Sequence, residues 1–181
     1  MGLSFSLMWS SAFATARIIV AAAPPLHSLA LRFFLAGVIA ILIAKLMGQT
    51  WRLTKSQWRA TLIFGLCQNA LYLGLNFIAM QKIEASLAAI IASTMPLLVA
   101  LLGWIFLREK LRPLAVLGLL TGFFGVALIM SDRITTGVDI KGLILCVIAA
   151  VALATATLTM RGASGGGNLL MVVGLQMLVG S

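Results

Sequence analysis

Long apolar runs separated by short polar links recur along the whole chain, at about residues 2–23, 26–47, 55–80, 85–107, 113–130 and 140–160, with a shorter one at 169–181. A helix rising 1.5 Å per residue needs roughly 20 residues to cross a hydrocarbon core of about 30 Å. The first six runs reach that length and the last does not. The pattern therefore predicts an all-α integral membrane protein, a helical bundle of six complete transmembrane helices plus the start of a seventh.

The polar punctuation supports these boundaries. Pro24-Pro25 ends the first run, because proline cannot continue a helix's hydrogen-bond ladder. Trp51, Arg52, Lys55 and Trp58 supply the aromatic and cationic anchors of a membrane interface, and Thr54-x-x-Gln57 reads as a capping box opening span 3. A tight link, Gln81 to Glu84, feeds span 4, Arg108-Glu109-Lys110 closes it, and Pro113 suits the first turn of span 5. Residues 161–168, rich in Gly and Ser, lead into the last run. Met1 to Val20 has no basic residue before Arg17, so it reads as a retained span and not as a cleavable signal peptide.

Composition agrees. The 181 residues are 62% hydrophobic and 9% charged, against about 45–50% and about 25% in soluble domains. The net charge of +9 sits in short loops with no basic face, which argues against nucleic acid as a partner. Lys45, Arg52, Lys55, Arg59, Arg108, Lys110, Arg112 and Arg161 alternate along the chain with Lys82, Arg133 and Lys141, eight against three. Counting the embedded Arg17 and Arg32 on the poorer side still leaves eight against five. By the positive-inside rule the 2–3, 4–5 and 6–7 loops and the N-terminus are expected in the cytoplasm, in a multi-pass protein of the inner or plasma membrane.

Sliding the chain on itself by 140 residues sets Gly2-Leu3 on Gly142-Leu143 and residues 12–16 on 152–156, so span 6 looks like span 1 restarted. Four more residues in the following loop set Arg32 opposite Gln176 and Ala36 opposite Gly180. A unit of five spans is odd in number, so a second copy would enter the membrane inverted, as in many transporters. The units would be residues 2–130 and a truncated second one at 140–181. The whole would have about ten helices in two inverted five-helix repeats, or about 280 residues.

Candidates for chemistry are few. The four acids, Glu84, Glu109, Asp132 and Asp139, lie at span ends, and His27 is the one histidine, at an interface. No carboxylate pair, zinc motif or Cys/His cluster is present, so neither an enzyme nor a metal or other cofactor is expected. Cys67 and Cys146 fall inside spans, where they read as packing residues. Arg17 and Arg32 lie about five residues, or about 7 Å, from the outer ends of their spans. They either snorkel to headgroups or present positive charge to an outward vestibule.

Gly65, Asn69, Tyr72 and Asn76 follow i, i+4, i+7, i+11 spacing on span 3, with Gln68 beside them, and need partners away from lipid. They serve as helix–helix glue or as the wall of a polar cavity. Trp9, Ser10 and Ser11 lie too deep for an interfacial belt. Ser93-Thr94-Met95-Pro96 sets a proline in mid-membrane, freeing the carbonyl of Ala92 and kinking span 4 as a structural bend or a hinge. Gly118, Gly122 and Gly125, and Ala36, Ala40 and Ala44, read as packing stripes.

Glu84-Ala85-Ser86-Leu87-Ala88, Pro96-Leu97-Leu98, Leu107-Arg108-Glu109-Lys110 and the glycines at 118, 122 and 125 together resemble the EamA-type drug/metabolite transporter domain. Trp9-Ser10-Ser11-Ala12-Phe13 and Leu31-Arg32-Phe33 are similar to its opening pattern, so the likeness covers the chain. The resemblance implies ten helices in inverted repeats, cytoplasmic termini, and export or exchange of small, often amino-acid-like metabolites by alternating access. It makes Arg32, Pro96 and Glu109 family positions, with Glu109 pinning the 4–5 loop among Arg108, Lys110 and Arg112. The chain departs from the family by stopping inside span 7.

The expected function is a secondary carrier or exporter of small polar or amphipathic metabolites, with spans 1, 3, 4 and 6 along the path. Trp9, Ser10, Arg17, Arg32, Gln68, Asn69, Tyr72, Asn76, Thr94 and Pro96 are the candidate path residues. The lipid bilayer and a small-molecule substrate are the expected partners, and a homodimer is allowed. The alternative is a non-transporting membrane scaffold or assembly subunit. A small dual-topology exporter would need balanced loop charges and a glutamate within span 1, and the chain has neither.

Overall fold

The computed structural model describes residues 2–135, 137–161 and 168–181, and within them every side chain except those at 2–6, 8–10, 13, 20 and 132–135. The chain is all-helical, with no strand among the described residues. Helix α1 is Gly2–Ala22 and α2 is Pro25–Leu46, which starts at the second of the two prolines. Span 3 is composite, built of α3 (Lys55–Phe64), a π-helical segment (Gly65–Leu73) and α4 (Gly74–Ala79). Span 4 is α5 (Ala85–Ser93) followed by α6 (Met95–Leu107). Then come α7 (Pro113–Thr135), α8 (Ile140–Met160) and α9 (Leu169–Val179).

Five of these stretches are long and apolar enough to cross a membrane: Pro25–Leu46, Lys55–Ala79, Ala85–Leu107, Pro113–Ser131 and Ile140–Met160. With α1 a further helix of 21 residues, the protein is a multi-pass membrane protein. The capping box forms as the sequence predicts. The Gln57 backbone N–H donates to Thr54 Oγ1 at 3.3 Å, and the Thr54 N–H donates to Gln57 Oε1 at 2.9 Å.

Two features depart from straight α-helices. The middle of span 3 is a π-helical stretch of nine residues, a wide-turned form that occurs mostly as single-turn bulges and often at functional sites. Span 4 breaks at Thr94, two residues before Pro96. Ser93 Oγ and Thr94 Oγ1 each turn back to donate to their own helix, to the carbonyls of Ile90 and Ile91 at 2.6 Å, a habit that bends helices. Backbone N–H groups at the break take up the carbonyls of Ile91 and Ala92, so the missing proline N–H leaves no exposed acceptor there.

Span 6 (α8) is the centre of the bundle, packed against all of span 3 and both pieces of span 4, with Ala149, Ala150, Leu153, Ala154 and Ala156 at 2% exposure or less. Its small side chains let neighbouring backbones close in, the form of attraction available where lipid is as apolar as leucine. The last helix, α9, lies along α2 and the π-helical segment. Glycines set these crossings. A Cβ on Gly37 would stand 3.0 Å from the Gly174 carbonyl oxygen, and one on Gly65 would stand 2.6 Å from that of Gln176. Helix α7 packs chiefly on α6, and only 6% of its membrane window is buried. Gly122 meets Leu97, but Gly118 and Gly125 face open space, so two of the three glycines expected to pack span 5 pack against nothing here.

Loop contacts sort the two ends of the bundle. The Thr50 N–H donates to Asn168 Oδ1 at 3.0 Å, the Met171 N–H donates to Gln49 Oε1 at 3.0 Å, and Arg161 pairs with Glu109. The three cation-rich loops therefore share one end. At the other, Gly142 lies against Ile83 and Lys82. Asp139 caps α8 there, accepting from the Gly142 N–H at 2.9 Å, and that bond, aided by Lys82 and Lys141, holds its carboxyl below the ordinary range.

Three outcomes follow for the full-length protein. Gly180→Val places a side chain 2.7 Å from the Gly65 carbonyl, where backbone cannot yield, and is expected to cost about 1–3 kcal/mol in detergent unfolding. Gly118→Ala, in open space, should leave stability level or slightly raised. Asp139, with a lowered folded pKa, contributes its cap in full above the ordinary carboxylate range near pH ~4 and loses it as pH falls through the lowered value. Thermal unfolding followed from pH 7 downward should show that loss in the native chain and less of it in Asp139→Asn.

Candidate functional site

The polar residues of span 3 are carried inward. Asn69, Tyr72 and Asn76 are 6%, 4% and 3% exposed, and Gln68 is half-buried beside them. Both asparagine amides find partners where water is scarce and an unpaired group costs several kcal/mol. Asn69 Nδ2 donates to the Gln176 carbonyl at 2.8 Å. Asn76 Nδ2 donates to the Tyr72 carbonyl at 2.8 Å, and its Oδ1 accepts from Cys146 Sγ at 3.4 Å. The Tyr72 ring rests on Ala149 and Leu153 of α8, with Met95 at the edge of the same cluster. Gln68 makes no hydrogen bond with any described residue.

These bonds fall along one boundary. Asn69–Gln176, Asn76–Cys146, Gln49–Met171, Thr50–Asn168 and Glu109–Arg161 each join a residue before 131 to one after 139. The close glycine approaches at Gly37, Gly65, Gly142, Gly174 and Gly180 lie on it too. Residues 2–130 and 140–181 thus meet across a polar, closely packed seam. Interhelical hydrogen bonds within membranes are worth only about 0.6 kcal/mol on average.

The other candidate path residues take separate places. Thr94 is buried at the break in span 4, one residue from Met95, whereas Pro96 is exposed on the outer side of that helix. Arg17 donates from Nη1 to the carbonyls of Met80 and Ile83, the latter at 3.1 Å. It thereby caps the end of span 3, beside a cavity of about 300 Å³ lined by Arg17, Ala21, Met80 and Gln81. Arg32 is exposed on α2 with no hydrogen bond or ion pair among the described residues. Trp9 and Ser10 lie on α1, and their side chains fall outside the described residues. The described side chains of the set thus divide between the seam, the Arg17 end and the outer faces.

Glu109 forms its ion pair with Arg161 and not with its sequence neighbours Arg108, Lys110 and Arg112. Arg108 takes a left-handed backbone, φ 55°, which turns the chain so that the Glu109 N–H donates to the Gly103 carbonyl at 3.2 Å. The carboxylate then lies over Gly103, where a Cβ would be 2.7 Å from Oε2, and accepts from Arg161 Nη1 at 2.7 and 2.9 Å. The loop is pinned to the end of span 6. The pair is 41–46% exposed, so its stabilising effect is small and its value is positional.

Sequence reasoning read Cys146 as simple packing and gave no role to Gln49, Gly103 or Asn168. Cys146, Gln49 and Asn168 meet partners 70 to 122 residues away, beyond any local spacing signal, and Gly103 meets Glu109 only because the left-handed turn at Arg108 folds the chain back. Cys146 is 1% exposed behind Asn76, while Cys67 is half-buried. A membrane-permeant maleimide should therefore modify Cys67 at least tenfold faster than Cys146 in the folded full-length protein, a ratio of about 1.4 kcal/mol. Equal rates would contradict the buried Asn76–Cys146 contact.

Comparison with known proteins fits this architecture. Residues 1–131 match the EamA-like transporter family. The chain is 27% identical over 175 residues to the uncharacterized transporter YvbV of Bacillus subtilis, covering 97% of this chain and 57% of that protein. It is 25% identical over 134 residues to the protein PagO of Salmonella typhimurium, covering 74% and 44% of the two chains. An uncharacterized transporter of Synechocystis is 29% identical over 126 residues, covering 67% and 37%. The chain thus spans from about a third to just over half of the length of these relatives. No solved structure matches it. A multi-pass helical chain matched over residues 1–131 of 181, it belongs to the EamA-like transporter family.

Proposed function

We propose that this chain forms the first five-helix repeat, residues 2–130, and the opening of a second, residues 140–181, of a ten-helix secondary carrier. It would move small polar or amphipathic metabolites, amino acids among them, by alternating access across an inner or plasma membrane. In this reading α1 is a sixth span, α9 opens the seventh, and the cation-rich end with the N-terminus faces the cytoplasm. The carrier acts without catalytic chemistry or a cofactor.

The observation that carries the proposal is the seam. In transporters built from inverted repeats, cargo binds near the midplane at the repeat interface, and access alternates as one repeat rocks against the other. Here buried amides, a tyrosine and a half-buried glutamine line the boundary between 2–130 and 140–181, next to a π-helical segment and a broken helix. Irregular backbone at membrane depth is tolerated only where protein or a water-filled cavity covers it. On opening, Asn69 and Asn76 would exchange their bonds across the seam for bonds to cargo, with Gln68 and the Tyr72 hydroxyl offering further ones and Thr94 and Pro96 as the hinge of span 4. Trp9 and Ser10 of α1 complete the proposed path, and Arg17 and Arg32 supply positive charge toward its outer end.

The scaffold reading rests on the same bonds, since Asn69 and Asn76 already glue helices together in this closed arrangement. The two readings separate in proteoliposomes containing the full-length protein and a panel of radiolabelled amino acids and related metabolites. A carrier with Tyr72→Phe or Asn76→Ala is expected to keep its fold while uptake of at least one compound drops about tenfold relative to another, the effect of losing about 1.4 kcal/mol of binding. A scaffold would show no saturable uptake in any variant.

A further inference from the structure

At the cation-rich end of α6 lies a cavity of about 370 Å³ lined by Trp104, Ile105, Arg108, Glu109 and Lys110. Its two halves differ in chemistry. Trp104 and Ile105 are 54% and 52% exposed on the last turn of the helix and continue into exposed Phe106 and Leu107. That forms an apolar wall rising about 5 Å into the hydrocarbon from Leu107. Beyond the helix end the wall is charged. Glu109 is the acid here, and its half-exposed carboxylate is already paired with Arg161. Arg108 and Lys110 stay exposed and make no ion pair among the described residues. The left-handed turn at Arg108 carries the acid to Arg161, which neutralises it, and leaves an exposed cation on either side of it in the chain.

We infer that this cavity is a binding site for the headgroup of an anionic phospholipid. The phosphate would sit between Arg108 and Lys110, with the glycerol and upper acyl chains along Trp104 and Ile105. Charge complementarity selects an anion, and the apolar wall selects a lipid over a free phosphate, which would gain nothing from a tryptophan and an isoleucine. Tryptophan suits this depth, where its ring meets the headgroup level. The bound lipid would lie against the loop that Glu109 fastens to span 6, tying lipid composition to closure of that end of the seam. The inference rests on span 4 crossing a bilayer and is independent of whether the protein transports.

The test uses the full-length protein purified in detergent and titrated with phosphatidylglycerol or phosphatidylcholine, with lipid-bound states counted by native mass spectrometry. Phosphatidylglycerol is expected to bind in preference to phosphatidylcholine. The double variant Arg108→Gln/Lys110→Gln should weaken that binding by about fivefold for each cation removed. Arg108→Lys/Lys110→Arg should restore it, and Trp104→Ala should weaken both lipids. Arg52→Gln/Lys55→Gln, which removes two cations of the same end that do not line this cavity, is the control. Equal losses in the two double variants would mean diffuse attraction to a basic surface and overturn the site. So would retention in Arg108→Gln/Lys110→Gln, as expected if a further segment of the longer protein fills the cavity. Displacement of the lipid by millimolar inorganic phosphate would overturn it in favour of a soluble anion.

Discussion

The hydrogen bond from Asn69 to the Gln176 carbonyl, made where glycines bring two backbones together, is the contact on which the rest of the bundle depends. Inside a bilayer no water satisfies a stray amide, so an asparagine in mid-span must find a partner within the protein. Asn69 finds it on α9, and the approach is possible because Gly65 and Gly180 leave room for backbone on both sides. The same constraint explains Asn76 with Cys146 and the inward-turned hydroxyls of Ser93 and Thr94. Once these groups are committed, α8 and α9 can dock on span 3 in only one register.

That register also brings the loops together. With α9 fixed along α2 and span 3, Asn168 and Met171 reach the 2–3 loop, and Arg161 comes within reach of Glu109. Eight of the thirteen cations then share one end of the molecule. The boundary combines neutral hydrogen bonds and glycine contacts with apolar packing of Phe77, Met80 and Ile83 in one cluster with Cys146 and Ala150, and it carries an exposed ion pair at its rim.

Much of the architecture was legible in the sequence because it is written in local physics. Apolar runs of bilayer length, the Thr54 and Gln57 box, and the prolines at 25 and 113 gave helix limits that differ from those observed by one or two residues at most positions. Span 5 is the exception, because its helix continues through the polar residues to Thr135. The buried face of span 3 was legible too, since Asn69, Tyr72 and Asn76 cannot face lipid. Its π-helical form was not, because nothing in the spacing of 65–73 distinguishes a wide turn from an ordinary one. Contacts with distant partners were equally hidden. Arg17 lies 63 residues from Met80, and Glu109 lies 52 from Arg161, so neighbouring cations looked the better match. The glycines at 118 and 125 misled because a small-residue stripe records a capacity for close packing and names no partner.

The central claim is that residues 2–130 and 140–181 move apart along the seam. Nitroxide labels at Arg52→Cys and Leu169→Cys, both exposed on opposite sides of it, would report this by pulsed electron resonance in the full-length protein, with Cys67 and Cys146 replaced by alanine. The account predicts two distance populations in lipid, the longer one growing when Glu109→Gln and Gln49→Ala release that end. A single distance unchanged by those substitutions would contradict it.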